Sequence, residues 1–456
     1  MINTHPYIPN ASSVTKEMLR VVGVRGLDDL FVDIPSFPFE IDELLPEPIG
    51  ESGVKRIVEE TLSKNKVYGT KCFAGGGPWF HFIPSAVRHI ISRGEFPTSY
   101  TPYQAEVSQG ILQAFFEFQS LICELYDMEV ANASMYDLST AVAESALLCA
   151  RVTGRKKIII PACLPWERKS VIANYTEPQG VLIEEAPYSK ENGGVDLERL
   201  KEVIDDDVAG VYVENPSFLG MIDNGVKGIV EISHDSGALA VVGCDPLSLG
   251  VLKPPGELGA DVAVGNGQPL GIAPAMGGNT LGIMACREDP GIVRQMPGRI
   301  VGMTKTADGR RRGYVLALST REQHIRREKA TSNICTNQAL LAVAATIYLS
   351  MMGRTGLASI SRKIIANTEY AKDRMRMDEL IEPIFQGINF RDFAMTIKGA
   401  DDVDGKIREK GMVGGRNLSE DFPEMKDGRL FAVTEVHTKK EIDELTSSIH
   451  EALGGA

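Results

Sequence analysis

The sequence predicts an α/β protein with a mostly parallel sheet, and three observations lead there. Short apolar, β-branched runs recur at residues 158–160, 180–183, 208–213, 239–242 and 261–264. Helix-like stretches with one apolar face lie between several of them, as at 197–204 and 226–233. The 456 residues are 43% hydrophobic, enough to bury a large core and more than one small domain needs. Strands alternating with amphipathic helices in this way form a sheet covered on both faces. Ligands of such sheets bind beyond the carboxyl ends of the strands.

In chain order, residues 1–65 read as proline-punctuated helical pieces, an arm rather than an independent core. A glycine-rich break, Gly75-Gly76-Gly77-Pro78, and an aromatic loop, Tyr100-Thr101-Pro102-Tyr103-Gln104, precede a strongly apolar helix over about 108–126. The strand and helix alternation then runs on, with a further strand-like piece at 281–285. An arginine patch follows: Arg310, Arg311, Arg312, Arg321, Arg326 and Arg327. It could bind anions, although such a run is more often a solvated face or an intersubunit contact. A long helix is expected from about Asn333 to Met352. Strands at 393–397 and 430–434, and a terminal helix from Lys439 with Ile442, Leu445, Ile449 and Leu453 on one face, close a small C-terminal α/β domain. The expected domains are therefore 1–65, 66–330 and 331–456.

Net charge is −13 with a pI near 5.2, which argues against a general nucleic-acid or anionic-membrane binder. No apolar run of membrane-spanning length and no signal peptide is read, and a cytoplasmic protein is expected. The seven cysteines are scattered without a CxxC pair, so neither a zinc site nor a disulfide framework is expected. His81 and His234 have no partner at metal-ligand spacing.

Gly265-Asn266-Gly267 through Gly271 mimics a dinucleotide fingerprint, but Pro274 stands where the required helix would run. Asn215-Pro216 and Cys244-Asp245 each end a predicted strand. There Asp245 could pair with a protonated ring nitrogen of a cofactor, or merely cap the next turn.

The string Tyr100 to Gly110, the pieces Ala131 to Asp137 and Thr140 to Glu144, and above all Thr320 to Gln338 resemble the P-protein of the glycine cleavage system. Pro6-Tyr7-Ile8-Pro9 and Leu27 to Phe31 match that family's opening. By length and opening motifs the chain is like subunit 1 of the split form. The resemblance implies the type I fold of pyridoxal-phosphate (PLP) transferases, a large domain on a mainly parallel seven-stranded sheet plus a small C-terminal α/β domain. It implies glycine as substrate, with decarboxylation on PLP and passage of the aminomethyl group to the lipoyl arm of H-protein.

One departure matters. Ungapped alignment from Asp261-Val262 to Pro274 puts Pro269 where the family's cofactor-bearing chain has its Schiff-base lysine. No lysine lies between Lys253 and Lys305, and proline offers no primary amine. The resemblance thus implies PLP held covalently by a homologous subunit 2, in an α2β2 assembly, and no catalytic residue in this chain by itself. Asn215 and Asp245 are then remnants of a degenerate pocket. Tyr100, Thr101, Tyr103, Gln104, Gly75, Gly76 and Gly77 are the expected contributors to the partner's cofactor site in trans, or else interface packing. A non-catalytic scaffold subunit and a self-sufficient PLP enzyme using another lysine are the alternatives.

Overall fold

The computed structural model describes residues 10–34, 45–77, 79–334, 337–399 and 403–454. The motif Pro6 to Pro9, with Pro78, Cys335 and Thr336, lies outside them. The chain divides into two compact units, 1–67 and 68–456.

In the first unit, helices Ser12–Val22 and Glu51–Leu62 carry no buried residue. Val21, Leu27, Phe31, Ile57 and Leu62 are all exposed.

The second unit holds a seven-stranded sheet. Its strands are β1 (Val130–Ala131), β2 (Lys157–Pro161), β3 (Leu182–Ala186), β4 (Val208–Glu214), β5 (Leu239–Cys244), β6 (Val262–Asn266) and β7 (Gly282–Cys286). They are ordered β1-β7-β6-β5-β4-β2-β3. The five strands from β6 to β3 are parallel, and β7 and β1 join antiparallel. Side chains alternate across the sheet: Ile159, Val211, Val213 and Val242 pack on one face, Ile158, Ile160, Tyr212 and Val241 on the other. Because both faces are buried, the central strands β4 to β7 are nearly continuous apolar runs, whereas the edge strand β3 carries Glu184 and Glu185. In this sheet every strand but β1 was expected from the sequence; an additional hairpin and, in the small domain, two short strands were not.

That hairpin, β8 (Ile300–Lys305) with β9 (Arg312–Ala317), lies within the basic stretch. The long helix is longer than expected, Ala339–Met375, and breaks at Gly353 (φ 57°). By length and composition it could cross a membrane. Here Ala342, Val343, Ala345, Tyr348 and Leu349 are buried in the core, and the helix packs on helix Gln109–Tyr126.

Beyond it lies an antiparallel sheet, β10 (Ile381–Pro383), β11 (Asp392–Ile397), β12 (Arg416–Asn417) and β13 (Gly428–Ala432), ordered β10-β11-β13-β12. Helix Lys439–Ala452 covers it with Ile442, Leu445 and Ile449 fully buried. A capping box starts this helix: Thr438 Oγ1 accepts from the Glu441 amide at 3.2 Å and Glu441 Oε2 from the Thr438 amide at 2.8 Å.

His437, just before that helix, ties the small sheet to the segment at Cys72. Its Nδ1 accepts from the Thr434 amide at 2.9 Å, and Nε2 faces the Cys72 carbonyl at 3.3 Å. Burial holds its pKa below the ordinary 6.5. As pH falls below 6.5 the unfolded chain therefore takes up this proton first, and stability is lost from 6.5 downward. The unfolding midpoint should fall between pH 6.5 and 5 with a limiting slope of about 1.4 kcal/mol per pH unit from this group. Denaturant titrations of His437→Gln should start from a lower midpoint but show a shallower pH dependence.

Candidate functional site

The carboxyl ends of β4, β5 and β6 meet at one pocket, lined there by Glu214, Asp245 and Asn266. This is where an open parallel sheet receives ligands. Gly76 and Trp79 enter from the start of the second unit, Leu138 from a helix N-terminus, and Phe390, Arg391 and Asp392 from the small sheet.

The pocket is filled with charge. Arg391 and Asp245 form an ion pair with side chains only 5% and 8% exposed. Arg391 Nε donates to Asp392 Oδ2 at 3.1 Å, and its Cζ sits 3.4 Å from the centroid of the Trp79 ring. Asp392 Oδ1 accepts from the Gly76 amide at 2.7 Å and from Trp79 Nε1 at 3.0 Å. Burial pushes the Asp392 carboxyl above its ordinary range. His81 bridges Arg391 and Glu435, its Nε2 3.4 Å from Arg391 Nη1 and its Nδ1 2.8 Å from Glu435 Oε2. Burial would raise the Glu435 carboxyl, but the His81 bond and the Phe82 amide at 2.7 Å hold it below the ordinary range. On the far wall Arg168 pairs with Glu214, which also accepts from the Tyr212 hydroxyl at 2.6 Å.

These residues do not fit PLP. No lysine lines the pocket, and the buried Pro269 is not among its lining residues. The carboxylate that would meet a pyridinium is engaged by Arg391. The helix terminus that would suit a phosphate, at Leu138, is capped by Asp137, whose carboxylate accepts from the Thr140 amide at 2.8 Å. The remaining cavity is about 50 Å³, whereas cofactor sites occupy roughly 300–1,000 Å³.

Other expected residues fall elsewhere. Asn215 spends both side-chain atoms on Asp223, accepting at 3.0 Å and donating at 3.2 Å. Asp245 also caps its own turn, accepting from the Leu247 amide at 2.7 Å, one of the two roles left open by the sequence; its other oxygen meets Arg391 instead of a cofactor ring. Gly75 and Gly76 serve this chain's own packing: a Cβ on Gly75 would meet Leu430 Cγ at 2.6 Å, and Gly76 has φ +78°. Gly77 has φ +83°. His234, bland in sequence, pairs with Asp261 at 2.9 Å. After β6 comes a turn, not the helix a dinucleotide loop requires.

The loop Tyr100 to Gln104 stands apart from the Asp245 pocket. Tyr100 and Tyr103 are 71% and 60% exposed. With Thr101 and Pro102 they line a separate cleft of about 620 Å³. Tyr103 sits edge-on to His324 at 6.0 Å, and Arg299 Cζ lies 5.5 Å from its ring centroid.

A family model described as glycine cleavage system P-protein matches residues 5–449. The chain is 46% identical over 465 residues to the probable glycine dehydrogenase (decarboxylating) subunit 1 of Staphylothermus marinus, covering 99% of each. To the protein of the same name from Thermococcus kodakarensis it is 46% identical over 452 residues, again 99% of each. The crystal structure of a glycine decarboxylase (P-protein) of the glycine cleavage system, in inhibitor-bound form, superposes with a TM-score of 0.88 at 38% identity. That match covers 98% of this chain and 100% of the other. A sphingosine-1-phosphate lyase of Burkholderia pseudomallei, at 13% identity and a TM-score of 0.61, shares the fold over 93% of this chain.

Proposed function

Since the chain belongs to the glycine cleavage system P-protein family, we propose that it is the half of a split glycine decarboxylase that holds no cofactor of its own. Its fold is the type I fold of PLP-dependent enzymes, and its activity, glycine dehydrogenase (decarboxylating), belongs to a heteromer. In this reading a homologous subunit 2 carries PLP on its lysine, and the two associate as α2β2. The assembly passes the aminomethyl group of glycine to the lipoyl arm of H-protein in the cytoplasm.

The observation that carries the reading is a division of labour. The pocket at the strand ends is filled by Arg391, while the hydroxyl-rich loop Tyr100 to Gln104 faces outward beside an open cleft. Tyr100, Thr101, Tyr103 and Gln104 complete the partner's site in trans, offering oriented donors to a phosphate or carboxylate. Gly76 lines the chain's own pocket, and we assign Gly75 to Gly77 to this chain and not to the partner's site. The exposed apolar residues of the arm supply surface for the partner to cover.

Glycine–bicarbonate exchange by the co-expressed subunits tests this. Tyr100→Phe or Tyr103→Phe should lower exchange roughly 10- to 100-fold, about 1.4–2.7 kcal/mol of lost positioning. Assembly should survive, and borohydride reduction should trap PLP on the partner's lysine only. Full exchange in both variants would leave the loop to interface packing and make the chain a scaffold.

A further inference from the structure

We infer that the Asp245 pocket is a binding site built for a planar, delocalised cation, and that this chain's own Arg391 guanidinium fills it. The inference stands apart from the in-trans role of the Tyr100 loop.

Shape comes first. The guanidinium carbon lies 3.4 Å from the Trp79 ring centroid, the distance of one flat group laid on another. A compact ammonium has no face to lay there, whereas a guanidinium or a protonated nitrogen heteroaromatic does. The acceptors lie around the edge of that plane. Asp245 Oδ2, Asp392 Oδ2 at 3.1 Å and His81 Nε2 at 3.4 Å reach the group at its nitrogens.

Charge comes second. Asp245 and Asp392 both meet the Arg391 guanidinium, and Glu435 backs it through His81, while Arg168 is engaged by Glu214. Buried carboxylates in such excess make a site that demands a positive occupant. Holding that occupant on the chain itself has a visible backbone signature. Arg391 adopts φ +61°, a left-handed conformation uncommon for a residue with a side chain. The neighbouring Trp79 is fixed in turn, its Nε1 on Asp392 at 3.0 Å and its carbonyl accepting from Gln268 at 3.2 Å.

Arg391→Ala should therefore uncover a site that takes the same chemistry from solution. In the full-length variant, saturating methylguanidinium or 4-aminopyridinium should raise the Tm by about 3–5 °C. Ammonium (a cation that is not planar) and urea (planar but neutral) should do nothing at matched ionic strength, and wild type should ignore all four. The double variant Arg391→Ala, Asp245→Asn removes the charge together with its partner, and should fold but fail to respond. Where Arg391→Ala alone does not stay folded, the two planar cations should restore its near-UV circular dichroism on refolding. Equal responses to ammonium or urea, a responsive double variant, or no response to either planar cation in both formats would overturn the inference.

Discussion

Alanine in place of Gly220 is expected to lower the unfolding free energy by about 3–5 kcal/mol, combining left-handed strain with a clash that cannot relax cheaply. Gly220 has φ +79°, and a Cβ built on it would lie 1.7 Å from the Asp392 carbonyl oxygen. That neighbour is backbone. It is also tethered, because the Phe390 amide donates to the Gly220 carbonyl at 2.9 Å and Met221 bridges to Asn389. The loop after β4 meets the first residue of β11 here, one residue from Arg391. Gly399→Ala is the control: φ is +75°, but nothing lies within 4 Å, so only about 1 kcal/mol of conformational cost is expected. Guanidine unfolding midpoints of the two variants should differ clearly. Similar midpoints would mean that the junction at Gly220 is soft.

Asp245→Ala should cost a comparable 3–5 kcal/mol, because it strands a guanidinium that is only 5% exposed. The Leu247 amide, which donates to Asp245 at 2.7 Å, loses its acceptor in the same step. Asp392 stays beside Arg391 Nε at 3.1 Å and limits the damage. The double change Asp245→Asn, Arg391→Met should recover most of the loss, since no buried charge then lacks a partner. A double-mutant cycle in urea reads the coupling directly. Additive effects would show that Asp245 and Arg391 act independently despite their contact.

The sheet was legible because burial on both faces writes its central parallel strands as nearly unbroken apolar runs. All seven residues of β4 are buried, and its predicted span differs from the observed one by a single residue. The hairpin of β8 and β9 escaped because its strands are half exposed and end in Lys305 and Arg312, so they read as a charged surface. β1 is only Val130–Ala131, too short to show any period. At the candidate site, Asp245 could be picked out because it follows a strand end. Its partners could not. His81 meets Arg391 across 310 positions and Glu435 across 354, and no local pattern marks residues joined only by the folded chain. Arg391-Asp392 reads in sequence as an ordinary charged pair entering a strand.

The arginine closing the pocket also has a bearing on supply within the cell. In the reading proposed above, a chain whose strand-end recess is plugged by its own side chain withdraws no pyridoxal phosphate from the free pool, however much of it is synthesised. Gene dosage of this subunit can then rise above that of a lysine-bearing partner without starving other enzymes that draw on the same vitamin. Surplus copies would wait empty-handed for a mate, and the number of loaded active sites would follow the partner's copy number alone.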